Sequence, residues 1–90
     1  MHRLQVTLHG RVQGVGFRAF VARLARTHGV RGEVRNAGDG AVEIVAEAGP
    51  EKLESFLEEV RVGPSLARVE RVEVVRTEGP GRYRTFTVTG

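Results

Sequence analysis

A chain of 90 residues, 40% hydrophobic and 28% charged, has room for one domain and one small core. It carries no cysteine, which excludes disulfides, thiolate nucleophiles and thiolate metal sites. No apolar run reaches the roughly 18 residues of a membrane span, and the alternating start "MHRLQVTLHG" is not a signal peptide, so the sequence reads as a cytoplasmic single domain, residues 1–90, with no membrane partner.

The formal net charge is +3, and nearly all the cations are arginine. Lys52 is the only lysine, Asn36 the only asparagine and Asp39 the only aspartate. That usage favours a hot or GC-rich source and hence thermostability, although the usual hyperthermophile signal is lysine with glutamate. The arginines are scattered, so no nucleic-acid patch is evident.

Leu4, Val6 and Leu8 alternate with Gln5, Thr7 and His9, the period of a half-buried strand. A glycine-rich loop follows, "GRVQGVGFR", Gly10 to Arg18. Phe17, Phe20, Val21, Leu24 and Ala25 then recur on one face of a helix, with Gly29 placed to end it. Val30–Asn36 alternates again as a second strand, "NAGDG" supplies a tight connection, and Ala41–Glu47 is the third strand. Pro50 suits the first turn of a second helix, whose stripe is Leu53, Phe56, Leu57 and Val60 and whose stop is Gly63-Pro64. Ala67–Arg76 is a fourth strand, "GPG" a turn, and Arg82–Thr89 a short fifth strand. The order β-α-β-β-α-β plus a terminal strand is the ferredoxin-like split-βαβ arrangement, an α+β sandwich with two helices on one face of an antiparallel sheet.

The loop joins a strand to a helix N-terminus, where unpaired N–H groups and the helix dipole favour an anion. Glycines allow successive N–H groups to turn inward as a nest, and Arg18, at the first turn, can grip two phosphate oxygens with its planar fork. Neither a Walker A pattern nor G-x-G-x-x-G is present, so a nucleotide is poorly supported. Spacing alone leaves a plain glycine turn with a surface arginine equally open.

The whole string "GRVQGVGFR" closely resembles the signature loop of the acylphosphatase family, and "GEVRNAGDGAV", Gly32 to Val42, resembles that family's second signature. Length and element order are similar as well. The chain departs from the pattern at Glu33, where the family usually has an aromatic residue, and at Ala48, which displaces the closing glycine to Gly49.

The resemblance implies hydrolysis of the carboxyl-phosphate bond of acyl phosphates to a carboxylate and inorganic phosphate. It implies a phosphate-binding loop of Gln13, Gly14, Val15, Gly16, Phe17 and Arg18, with Arg18 and Asn36 catalytic: Arg18 binds the phosphoryl group and Asn36 orients the attacking water. It implies no metal and no cofactor, a monomer, and inorganic phosphate as product and competitive ligand. The residues fit independently. A mixed anhydride has a good leaving group, so positioning and electrostatics can carry the reaction, and His2, His9 and His28 have no metal-ligand spacing.

Several residues have plainer expectations. His9 continues the polar side of the first strand. His28 sits in the last turn of the first helix, where a cation suits the dipole. Phe17 belongs to the core, and Gln13 shapes the loop. Three other readings stand beside the enzyme: an RNA-binding module, which would need exposed aromatics on its strands; a carbamoyl-phosphate-handling domain like those of longer hydrogenase-maturation chains; and an anion-binding domain without turnover.

Overall fold

The computed structural model describes Met1–Gly90. Its elements are β1 (His2–Arg11), α1 (Phe17–His28), β2 (Arg31–Asn36), β3 (Val42–Ala48), α2 (Pro50–Val62), β4 (Arg68–Glu78) and β5 (Phe86–Val88). The five strands form one sheet in the order β4-β1-β3-β2-β5. Every pairing is antiparallel except the last, where β5 runs parallel to β2.

Strand alternation fixes the two faces of the sheet. Leu4, Val6 and Leu8 of β1 stand beside Ile44 and Ala46 of β3 and face the helices, all of them buried. The stripes of α1 (Phe17, Val21, Ala25) and α2 (Leu53, Phe56, Leu57, Val60) close over them. Phe56 packs edge-on against Phe86 at 6.3 Å, which seats β5 under the helices. Each such fully buried side chain contributes roughly 1.5–3 kcal/mol.

β1 and β2 are both antiparallel to β3, so they run parallel to each other, and β5 runs with β2. Their C-terminal ends therefore emerge at one end of the sheet. That delivers the glycine loop after β1, Asn36 at the end of β2, and Gly90 beyond β5 to one place. At the same end, β1 carries a bulge between His9 and Gly10. Gly10 has φ 126°, and a Cβ there would lie 2.2 Å from the Arg68 carbonyl oxygen, so the close approach of β4 requires glycine.

Two expectations from the sequence are corrected. The third strand extends through Ala48, which pairs with His2 with no register shift, so the additional residue simply lengthens the strand and Gly49 caps α2. The fifth strand is shorter than Arg82–Thr89, because the segment before Phe86 is bound elsewhere. The N–H groups of Arg82 and Tyr83 donate to the buried Glu47 carboxylate at 2.9 and 3.2 Å rather than to a strand. Glu47 is 0% exposed and also accepts from Arg3 Nη2 at 2.6 Å and Nε at 3.0 Å. Burial pushes its carboxyl up, but Arg3 and the two N–H groups outweigh that and hold it below the usual carboxylate range.

Candidate active site

The loop between β1 and α1 is held open by its backbone. Gly14 and Gly16 adopt φ of 73° and 78°, a left-handed conformation costly for any residue with a Cβ. Neither position is crowded, so conformation and not space calls for glycine. Gly16 is the residue preceding α1, and no side chain caps that helix. The N–H groups of Gly14 through Ala19 donate to no acceptor in the protein. Six consecutive donors at the positive end of a helix form an anion cradle.

Gln13 fastens the loop to the β2–β3 connection. Its Nε2 donates to the Ala37 carbonyl at 2.8 Å and the Ala41 carbonyl at 3.0 Å. The connection is itself tied by Ala37 N–H to Ala41 O at 2.8 Å and Ala41 N–H to Asp39 Oδ1 at 3.1 Å. Asn36, at its start, is thereby fixed relative to the loop. Asn36 Oδ1 is buried and has no hydrogen-bond partner in the protein. Buried polar atoms are nearly always paired within the protein, so this acceptor is unusual in being left unspent by the protein's own donors.

Arg18 and Asn36 line one cleft of about 290 Å³, together with Gly14, Gly16, Phe17, Val12, Ala19 and Val88. One guanidinium N–H of Arg18 donates to the Gly90 main-chain oxygen, which also accepts from the Asn36 N–H at 3.4 Å. The remaining donors of Arg18 stay free for an anion.

A larger hollow, about 600 Å³, lies on the helix-free face of the sheet and is lined by Gln5, Thr7, Glu33, Arg35, Glu43 and Thr89, among others. Its charges are matched within the protein. Arg35 pairs with Glu43, and Glu33 accepts from Tyr83 Oη and Thr89 Oγ1, both at 2.8 Å. The hydrogen bond from Tyr83, then that from Thr89, holds the Glu33 carboxyl below its ordinary range, and the same bond pushes the Tyr83 phenol up. The smaller cleft, with unspent donors and acceptor, is the candidate chemical site.

The acylphosphatase family profile matches residues 4–88. The chain belongs to the acylphosphatase family. An acylphosphatase from Thermococcus kodakarensis is 49% identical over 88 residues, 98% of this chain and 96% of that one. The crystal structure of acylphosphatase from Bacillus subtilis superposes with a TM-score of 0.96 at 36% identity, covering 100% of both chains. Full-length HypF in a phosphate- and nucleotide-bound form contains a similar region, with a TM-score of 0.90 at 31% identity, covering 99% of this chain and 12% of that one.

Within this acylphosphatase fold, Gly14, Gly16, Phe17, Arg18 and Asn36 meet at the cleft. Gln13 and Val15 do not line it: Gln13 braces the loop from behind, and Val15 is buried in the core cluster. Phe17 does both jobs, lining the cleft while its ring packs edge-on against Phe20 at 6.0 Å. His9 lies on the helix-free face with Glu73 and Arg71. His28 pairs with Glu59 and stacks edge-on against Phe56, so it joins the two helices as well as ending one. β1 to β4 carry no Phe, Tyr or Trp, and Phe86 of β5 is buried. No three His, Asp or Glu side chains come together as a metal site would require. Val12, Ala19, Val88 and Gly90 are the members the sequence reading did not name.

Proposed function

We propose that this protein hydrolyses acyl phosphates by direct attack of water at phosphorus. The phosphoryl group sits in the cradle of N–H groups from Gly14 to Ala19, with Arg18 gripping two of its oxygens. Asn36 orients the water through its unspent Oδ1, and its amide N–H₂ can donate to a phosphoryl oxygen at the same time. The P–O bond to the acyl group breaks as the water oxygen bonds to phosphorus, and the carboxylate leaves without needing an acid. The water's proton passes to a phosphoryl oxygen, so no side-chain base is required. Charge that builds on the equatorial oxygens meets donors already in place, which is where such sites gain most of their rate.

One observation carries this reading: Gly14, Gly16, Phe17, Arg18 and Ala19, whose main-chain donors are unspent, a mostly free guanidinium and an amide oxygen without a partner in the protein line a single cleft. Purified protein in EDTA is expected to hydrolyse benzoyl phosphate at its full rate and to leave a nucleotide and a phosphate monoester intact. Loss of activity in EDTA that magnesium restores would overturn the metal-free mechanism. Tight phosphate binding without turnover would favour a phosphate-binding module of the kind suggested by the likeness to HypF.

A further inference from the structure

Arg18 is a half-buried side chain on the first turn of α1, and its one hydrogen bond within the protein is to the Gly90 main-chain oxygen. A free arginine samples many rotamers, so that contact selects the orientation in which the guanidinium stands over the cradle. The same oxygen receives the Asn36 N–H. The two side chains proposed for the reaction therefore share one main-chain reference point. Its position depends on what holds the segment after β5.

Besides the Asn36 N–H, two bonds from Thr89 hold that segment. Thr89 N–H donates to the Val34 carbonyl at 2.9 Å, continuing the β2–β5 pairing by one rung. Thr89 Oγ1 donates to Glu33 Oε2 at 2.8 Å. The other oxygen of that carboxylate, Oε1, accepts from Tyr83 Oη at 2.8 Å, on the far side of β5. β5 has only three residues, too few to hold itself by ladder bonds alone. Glu33 thus staples both flanks of β5 to β2, and it does so from the sheet face opposite the cleft.

Resting on the site reading above, we infer that Glu33 is a positioning residue for Arg18, acting through Thr89 and the Gly90 main-chain oxygen. An ionised carboxylate is suited to this because it accepts on both oxygens at once. Losing the Thr89 arm leaves the Gly90 oxygen held more loosely, by the Asn36 N–H, and returns rotamer freedom to Arg18. Phosphate then binds less tightly in the ground state and in the transition state alike, so KM rises while kcat holds.

The experiment measures inorganic phosphate binding by calorimetry and benzoyl phosphate kinetics in the wild type, Glu33→Ala, Thr89→Val, their double variant, and Tyr83→Phe. Loss of one such bond is expected to raise the phosphate Kd and KM about three- to tenfold in Glu33→Ala and in Thr89→Val, with kcat within about twofold. The double variant should be no weaker than Glu33→Ala, because both changes break one contact. Tyr83→Phe should lower the melting midpoint yet leave phosphate Kd within about twofold. Wild-type phosphate affinity in both Glu33→Ala and Thr89→Val would overturn the inference while leaving the site reading intact. So would a loss in Tyr83→Phe equal to that in Thr89→Val, since the effect would then be a general loosening of β5. A wild type that binds no phosphate would overturn the site reading and the inference together.

Discussion

Asn36→Ala should separate turnover from stability, removing most of the first and little of the second. Asn36 Oδ1 accepts from no group of the protein, and it lines a cleft of about 290 Å³ with room for a water to meet it. The protein therefore gives up no internal bond of that oxygen on truncation. What it loses is burial of about one carbon, roughly 0.8 kcal/mol. For a domain of this size that lowers the melting midpoint by no more than about 3–6 °C. The same truncation removes the group that orients the water, so turnover should fall by about 10²–10³-fold with kcat and kcat/KM dropping together. Thermal unfolding in phosphate-free buffer, paired with benzoyl phosphate hydrolysis on the same preparation, reads both quantities. Added phosphate should raise the midpoints of wild type and variant in parallel, because the cradle is untouched. A midpoint lowered by more than about 8 °C would refute the idea that this side chain carries little of the fold. Turnover within a few-fold of wild type would refute its role in orienting water.

Arg18→Lys should lose most activity and weaken phosphate binding, because a point charge cannot reproduce the two-pronged grip; near-normal turnover would remove that role. Gln13→Ala loses two bonds, to the Ala37 and Ala41 carbonyls, and is expected to cost about 1–2 kcal/mol in urea unfolding, each carbonyl keeping its other partner; an unchanged midpoint would mean the loop is held by its backbone alone. Glu47 sets an acid limit. Its folded carboxyl lies below its unfolded value of 4.5, so its stabilisation is complete above that pH and drains away as pH falls through the lower folded value. Melting midpoints taken from neutral pH downward should fall below pH 4.5 in the wild type. Glu47→Gln should be less stable at neutral pH and show a flatter profile, since breaking a buried pair costs about 3–5 kcal/mol; an equally steep profile would clear Glu47 of this part.

The parts of this molecule written in local patterns were legible in the sequence. Alternation located β1 to β4, helical spacing located both core stripes, and Gly29 and Gly63 marked the helix ends. The loop and Asn36 were found because two short strings carried them, and strand direction brought them together. The rest depended on contacts far apart in the chain. Arg82–Thr89 has a strand's composition, but the Glu47 carboxylate, 35 residues away from Arg82, competes for its N–H groups and shortens β5. Glu33 was visible only as a departure from the usual aromatic residue. That its carboxylate bonds to Tyr83 and Thr89 follows from the parallel pairing of β5, which no local pattern announces.

The order of the strands also decides how the sheet ends. Both of its borders are poor templates for a neighbouring chain. β5 offers three residues, and its flanks are already stapled down. β4 is long, but Arg68, Glu70, Arg71, Glu73, Arg76 and Glu78 crowd it with charge of both signs. An incoming strand would have to bury or match those charges at every other rung, and that deters edge-to-edge growth. The most buried strands, β1 and β3, lie inside the sheet with both sides occupied. During folding the hazard is therefore brief and local: β1 is exposed to wrong partners only until β3 and β4 have closed on it. Substitutions that neutralise β4 should accordingly show themselves first as aggregation at high concentration, before any change in catalysis.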